Sequence, residues 1–236
     1  MTQKAQSIHL YLNLLKNSIL IYFLLLLVWV SACKRVEDPS PIIGPTYFPI
    51  ELEKYIIYSV AELNHDAFLS KTDTSLFLQR ETIDALIEGS ITETYKLRIE
   101  TSIDSGITWK FTHFATIQKN VYSAERTENN ERKVKLSFPF KDRKSWDANE
   151  LNSQPFQTAR LRKIGEADSL LNGIIFFNTV TVDLGNDQDP FFTNIEQEVY
   201  ADSIGLIERI FADYETQPGK YKDGTEYIKT FYQSNW

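Results

Sequence analysis

At 236 residues, 42% hydrophobic and 13% aromatic, the chain is too apolar for a disordered protein and long enough for one well-buried core. Only two of its 25 Lys and Arg and none of its 32 Asp and Glu fall within residues 1–33, so the remainder carries a formal net charge of −9. That acidity argues against a nucleic-acid ligand and against direct adhesion to anionic lipid, and the single cysteine excludes an intramolecular disulfide.

The first element is an apolar run. Residues 18–32 read Ser-Ile-Leu-Ile-Tyr-Phe-Leu-Leu-Leu-Leu-Val-Trp-Val-Ser-Ala, preceded by Lys4 and Lys16 and closed by the small residues Ser31 and Ala32. A basic start, an apolar centre and a small-residue end form a secretory signal, and the run is short of the roughly 20 residues a spanning helix needs. An uncleaved membrane helix is the competing reading, but Lys34 and Arg35 would then oppose Lys4 and Lys16 in setting its orientation.

The segment Val30-Ser31-Ala32-Cys33 resembles the lipobox of bacterial lipoproteins: an aliphatic residue, two small residues and the cysteine that is lipidated. The resemblance implies cleavage after residue 32, a diacylated sulfur on Cys33 and lipid anchoring in the cell envelope; the outer membrane is the expected site, with inner against outer membrane and the periplasmic or surface face left open. Two or more acyl chains give stable attachment where one does not. Residues 33–48 then read as a stiff spacer containing Pro39, Pro41, Gly44 and Pro45. In lipoproteins of some Gram-negative lineages a lysine and acids behind the cysteine direct surface export; here Arg35 and Val36 interrupt that pattern.

Residues 49–236 read as one β-rich domain. Opening strands are expected at 55–63 and 75–81. Tyr95, Leu97, Ile99 and Ile103 alternate with Lys96, Arg98, Glu100 and Ser102, and after Asp104-Ser105-Gly106 the pattern restarts with Ile107, Trp109 and Phe111. Alternating runs joined by a short glycine-containing turn predict a hairpin. Val134, Leu136 and Phe138 alternate with Lys133, Lys135 and Ser137 behind a turn at Asn129-Asn130. Asn172-Gly173 predicts a type I′ turn before the strand at 174–182, and Asp223-Gly224 predicts another before the strand at 226–232. Two stretches, 82–88 and 204–211, carry apolar residues three and four apart and read equally well as short helices. The fold expected is all-β: a single antiparallel meander of about ten strands, strongly curved into a partial barrel or a sandwich.

The run from Val199 to Ile207, together with Tyr58-Ser59-Val60, Leu136-Ser137-Phe138-Pro139 and Trp146, is similar to uncharacterised β-rich cell-envelope lipoproteins. The likeness spans most of residues 47–214 through loose aromatic and glycine positions. It supports the fold class, and that group has no assigned activity to transfer.

Chemistry is sparse. His65 and His113 stand alone, without a second cysteine or a metal-binding spacing, and read as structural or solvated residues. The acidic stretch with Asp183, Asn186, Asp187 and Asp189 offers hard oxygen donors for Ca²⁺. It lacks a calcium-loop spacing, and a solvated turn between strands accounts for it more simply. No glycine-flanked nucleophilic serine occurs, and no carboxylate pair stands out. Trp109, Trp146, Tyr122, Phe176 and Phe177 would line a ligand pocket or, more simply, form core.

The expectation is therefore a non-catalytic, membrane-anchored envelope lipoprotein with a binding or scaffolding role, no cofactor, and the membrane as partner through covalent lipid. An envelope protein, a glycan or an apolar ligand is left open as further partner. The alternatives are a carrier of lipid or another apolar ligand inside the curved sheet, and a hydrolase of envelope polymers with converging carboxylates.

Overall fold

The computed structural model describes residues 44–87, 92–216 and 221–236. The signal segment 1–32, Cys33 and the first part of the spacer lie outside them.

The strands run in chain order as β1 (Tyr55–Asp66), β2 (Lys71–Ile87), β3 (Thr94–Ser102), β4 (Lys110–Lys119), β5 (Ser123–Glu128), β6 (Glu131–Ser137), β7 (Ser145–Asp147), β8 (Thr158–Ser169), β9 (Ile175–Gln188), β10 (Phe192–Ala201), β11 (Gly205–Thr216) and β12 (Lys222–Ser234). All lie in one sheet ordered β6-β5-β4-β3-β2-β1-β12-β11-β10-β9-β8-β7, each neighbour antiparallel. The first and last strands pair with each other, so the two sheet edges fall in mid-chain. Those edges meet: the Val134 N–H of β6 donates to Ala148 O at 3.0 Å, and Trp146 Nε1 donates to Val134 O at 2.9 Å. The meander is thus a nearly closed barrel rather than a sandwich. Closure covers the unpaired backbone groups that an open edge would present.

Twelve strands stand where about ten were expected. One that the alternation rule misses is β5, Ser-Ala-Glu-Arg-Thr-Glu, whose inward face carries Arg126 and Glu128 after the single apolar residue Ala124. Another is β7, only three residues long.

Neither expected helix forms. In β2 the register slips between Ile83 and Ala85, leaving Asp84 as the extra residue of the ladder, its carboxylate paired with Lys96. In β11, Glu208 faces Val199 and Leu206 faces Tyr200, leaving Ile207 as the extra residue. A bulge adds one residue to a period of two, which places apolar residues three apart without a helix.

Two turns also differ. At Asn172-Gly173 only the glycine has a positive φ, at 84°; Gly173 N donates to Leu170 O at 2.8 Å and Leu170 N to Ile174 O at 2.9 Å. This is a three-residue loop closed by a left-handed glycine, not a two-residue type I′ turn. Asn129 and Asn130 do have the paired positive φ of type I′, at 51° and 63°. Asp223-Gly224 lies inside β12. A Cβ on Gly224 would fall 2.3 Å from Asp213 O, so the residue marks close backbone approach rather than a turn.

Packing is concentrated at one end of the barrel. Ala124, Leu136, Phe138, Phe140, Leu161, Val180, Val182 and Tyr200 form its principal cluster with Tyr47. Tyr47 belongs to a short 3-10 turn, Gly44–Tyr47, whose chain enters this end and is tied down by Lys119 Nζ, which donates to Pro45 O and Phe48 O. Next to it Ile83, Leu97, Ile99, Ala115 and Ile117 continue the apolar layer. The predicted apolar face beyond Ile99 is not buried: Ile103, Ile107 and Phe111 are exposed in or beside the β3–β4 loop, because the barrel wall ends at Ser102.

A candidate ligand-binding lumen

Beyond the apolar layer the inward positions become charged. Val60 of β1 faces Phe77 of β2 and Lys229 of β12, and continuing round the wall at the same alternation brings Glu81, Arg126, Glu198, Arg209 and Lys229 to the interior. Lys135 joins them through a bulge. Ala124 faces Leu136 while Glu125 faces Val134, so Lys135 is the extra residue of β6. Bulges commonly re-aim a side chain in this way.

These groups pair across the lumen as well as along the wall. Arg126 of β5 forks onto Glu81 of β2 at 2.8 and 3.1 Å, and Lys229 of β12 completes the same carboxylate. Arg126 Nε also reaches Glu128 at 2.9 Å, and His113 holds the other Glu128 oxygen. Lys135 of β6 reaches Glu198 of β10, strands that are not sheet neighbours, and Tyr200 OH donates to the second Glu198 oxygen at 2.6 Å. Arg209 binds Glu196 at 2.8 Å, and Gln157 Nε2 takes the other Glu196 oxygen at 2.8 Å.

Burial raises a carboxyl pKa, but here the facing cations outweigh it. Arg126 and Lys229 hold Glu81 well below the usual carboxylate range, and Lys135 with Arg209 lowers Glu198 to about 2. Burial pushes the Lys229 ammonium down to about 8 against the opposing pull of Glu81, and its Nζ lies 4.1 Å from the centre of the Tyr58 ring. Glu81, Glu198, Arg126 and Arg209 are thus ionised at neutral pH.

The charged layer borders a cavity of about 390 Å³ that reaches the barrel rim at Asn129 and Glu131. Its wall includes Gln79, Arg126, Lys133, Lys135, Arg209, Tyr227 and Lys229. An adjoining space toward the apolar end, among Phe48, Ile83, Leu97 and Trp236 and sharing Arg126, Lys135 and Leu206 with the larger cavity, measures only about 80 Å³.

The residues singled out from the sequence fall elsewhere. Asp183 is paired with Arg162 at 3.0 Å, Asp187 faces Asn194 within the β9–β10 ladder, and Asp189 accepts from Phe191 N and Phe192 N. Together with Asn186 they run along β9 and its end, and among the described residues no group of three or more His, Cys, Asp or Glu converges to hold a metal. His65 is fixed by Thr72 and Glu226, each at 2.9 Å, whereas His113 does reach the lumen through Glu128. The five aromatics line no common site. Trp109 packs its ring 4.4 Å from the Arg80 guanidinium, Trp146 sits at the barrel closure, Phe176 meets Phe231 edge-on, and Tyr122 and Phe177 are exposed. Sequence reasoning missed the charged layer because each member, taken alone, looks like an ordinary solvent-facing residue. The signal was present in Glu81, Arg126 and Lys229, charges on inward-facing positions of their strands.

No protein-family model matches the chain, and no curated protein matches it. Among solved structures it is similar to a protein of Bacteroides fragilis, provisionally described as exported and as having a YmcC-like fold, with 10% identity and a TM-score of 0.44 over 80% of this chain and 98% of that one. At that score the likeness supports no argument beyond itself.

Proposed function

We propose that this protein is an exported lipoprotein, anchored through Cys33, whose barrel serves as a non-catalytic binding module with the polar lumen as its ligand site. The observation that carries the binding role is the cavity of about 390 Å³ walled by ionised side chains and opening at the barrel rim. Its volume falls in the range typical of small-molecule sites. The anchor is supported by the lipobox-like Val30-Ser31-Ala32-Cys33 at the end of an apolar leader.

A polar occupant fits better than an apolar one. The apolar end leaves about 80 Å³, less than the roughly 150 Å³ cavity that accommodates benzene, and far less than a fatty chain requires. The lumen carboxylates also do not suit a glycosidase, which needs one carboxylic acid with a raised pKa; Glu81, Glu128 and Glu198 are all lowered by their cationic partners.

Two measurements test the two halves of the proposal. Metabolic labelling with radioactive palmitate should mark the native chain and leave Cys33→Ala unlabelled; equal labelling of both removes the anchor. Native mass spectrometry of protein extracted from its own cells should show a polar small-molecule adduct, lost when Gln79→Trp fills the lumen. An adduct that is a lipid or that survives Gln79→Trp removes the lumen as the site.

A further inference from the structure

Hydrogen-bonding capacity in the lumen wall is unbalanced. Every carboxylate oxygen of Glu81, Glu128, Glu196 and Glu198 already accepts a hydrogen bond from a protein donor. Only at the rim is one acid less committed: Glu131 accepts from Gln154 through one oxygen. The donors are not used up in the same way. Arg209 gives one N–H to Glu196, and its buried Nε lies 3.7 Å from Glu198, an ion pair too long for a hydrogen bond. Lys133 Nζ has one partner, the neutral Gln157 Oε1 at 3.4 Å, and among the described residues no carboxylate lies within ion-pairing distance of it. Lys135 and Lys229 each give one ammonium proton to a carboxylate. Tyr227 borders the same cavity.

An enclosed wall with spare cationic donors and saturated acceptors is complementary to a ligand rich in acceptor oxygens. Charge-assisted hydrogen bonds to a carboxylate or phosphate are about twice as strong as those to neutral acceptors. Leaving such donors unpaired costs free energy that an anion recovers on binding. Resting on the polar-lumen reading above, we infer that the cavity takes a small anion, a carboxylate or phosphate carried on a polar body of sugar size, with Lys133 as the anion-binding residue and Arg209 and Tyr227 beside it in the wall. The net charge of −9 after residue 33 repels polyanions and so favours an occupant of low charge.

The test is calorimetric titration of the detergent-solubilised full chain with three probes: glucuronate, inorganic phosphate and glucose. Glucuronate and phosphate should bind, and glucose at least tenfold more weakly than glucuronate. Lys133→Gln, which keeps most of the side-chain length and an amide partner for Gln157, should weaken both anions at least tenfold without changing the melting temperature. Lys133→Arg should restore binding, which a merely structural role for the position does not predict; it also decides the matter should Lys133→Gln fail to fold. Binding of glucose as tight as that of glucuronate, unaffected by Lys133→Gln, overturns the anion inference and leaves the polar lumen standing. Binding of neither anion overturns it as well, while the palmitate label still judges the anchor independently.

Discussion

Glu81 shows how far a single residue departs from what its type suggests. It is 7% exposed, yet it is ionised, because Arg126 forks onto it and Lys229 caps it from the neighbouring wall. Removing one partner of a buried pair leaves an uncompensated charge, which typically costs about 3–5 kcal/mol. Arg126→Ala, which leaves Glu81 with Lys229 as its one cation and frees Glu128, should therefore lower unfolding stability by at most about 3–5 kcal/mol in denaturant melts; a loss below about 1 kcal/mol would show that water already screens the pair. Glu198 gives a pH dependence of known sign. Its carboxyl titrates at about 2 in the fold against an ordinary 4.5, so its contribution is complete above pH 4.5 and disappears as pH falls toward 2. Glu81, lowered further, acts in the same direction. Melting temperature should thus drop steeply between pH 4.5 and 2, and the drop should be shallower in Glu198→Gln, measured by thermal denaturation across that window.

At the scale of elements, bulges decide what the period-two pattern conceals. The additional residues Asp84, Lys135 and Ile207 each shift the register of one strand, and two of them generate the three-residue spacings that mimic helices. The third delivers a lysine to the lumen. Strand β12 depends instead on a missing side chain. Gly224, with φ 138°, lies so close to Asp213 and Tyr214 that a methyl group has no room. Gly224→Ala should destabilise the protein and speed amide exchange along β11 and β12, while exchange in β3 and β4 stays unchanged; uniform acceleration would point to global unfolding instead. Strands whose inward face is apolar, such as β3 with Leu97 and Ile99, were legible from alternation alone. Strand β5 was not, because its inward Arg126 and Glu128 look like solvated residues until the strands that neutralise them are brought alongside.

For the molecule as a whole, the decisive event is closure between β6 and β7, strands that are consecutive in sequence yet stand at opposite edges of the sheet. One backbone bond, Val134–Ala148, joins the two edges, and the other bonds across the seam run through side chains: the Trp146 indole on Val134 O, the Asn152 amide on Arg132 O, Gln154 on Glu131 and Lys133 on Gln157. The seam therefore has a sparser backbone ladder than the paired strands, and an ordinary hydrogen bond contributes a net of only about 1 kcal/mol. Trp146→Phe removes the indole donor and should cost about 1–2 kcal/mol, with faster exchange at the Val134 amide than at Val60 on the far wall; equal acceleration at both would mean that the seam is not an independent opening site.

The acidic balance after residue 33, the antiparallel class and most strand positions were set by local chemistry: composition, apolar periodicity and turn residues. Those properties depend on neighbours a few residues away, so one chain read in order reveals them. The lumen was decided only by tertiary structure. Its members come from strands as far apart as residues 79 and 229, and each charge is tolerated inside because a distant strand supplies its counter-charge. Nothing local distinguishes an inward Lys229 from an outward one until the barrel closes and burial makes its partner indispensable.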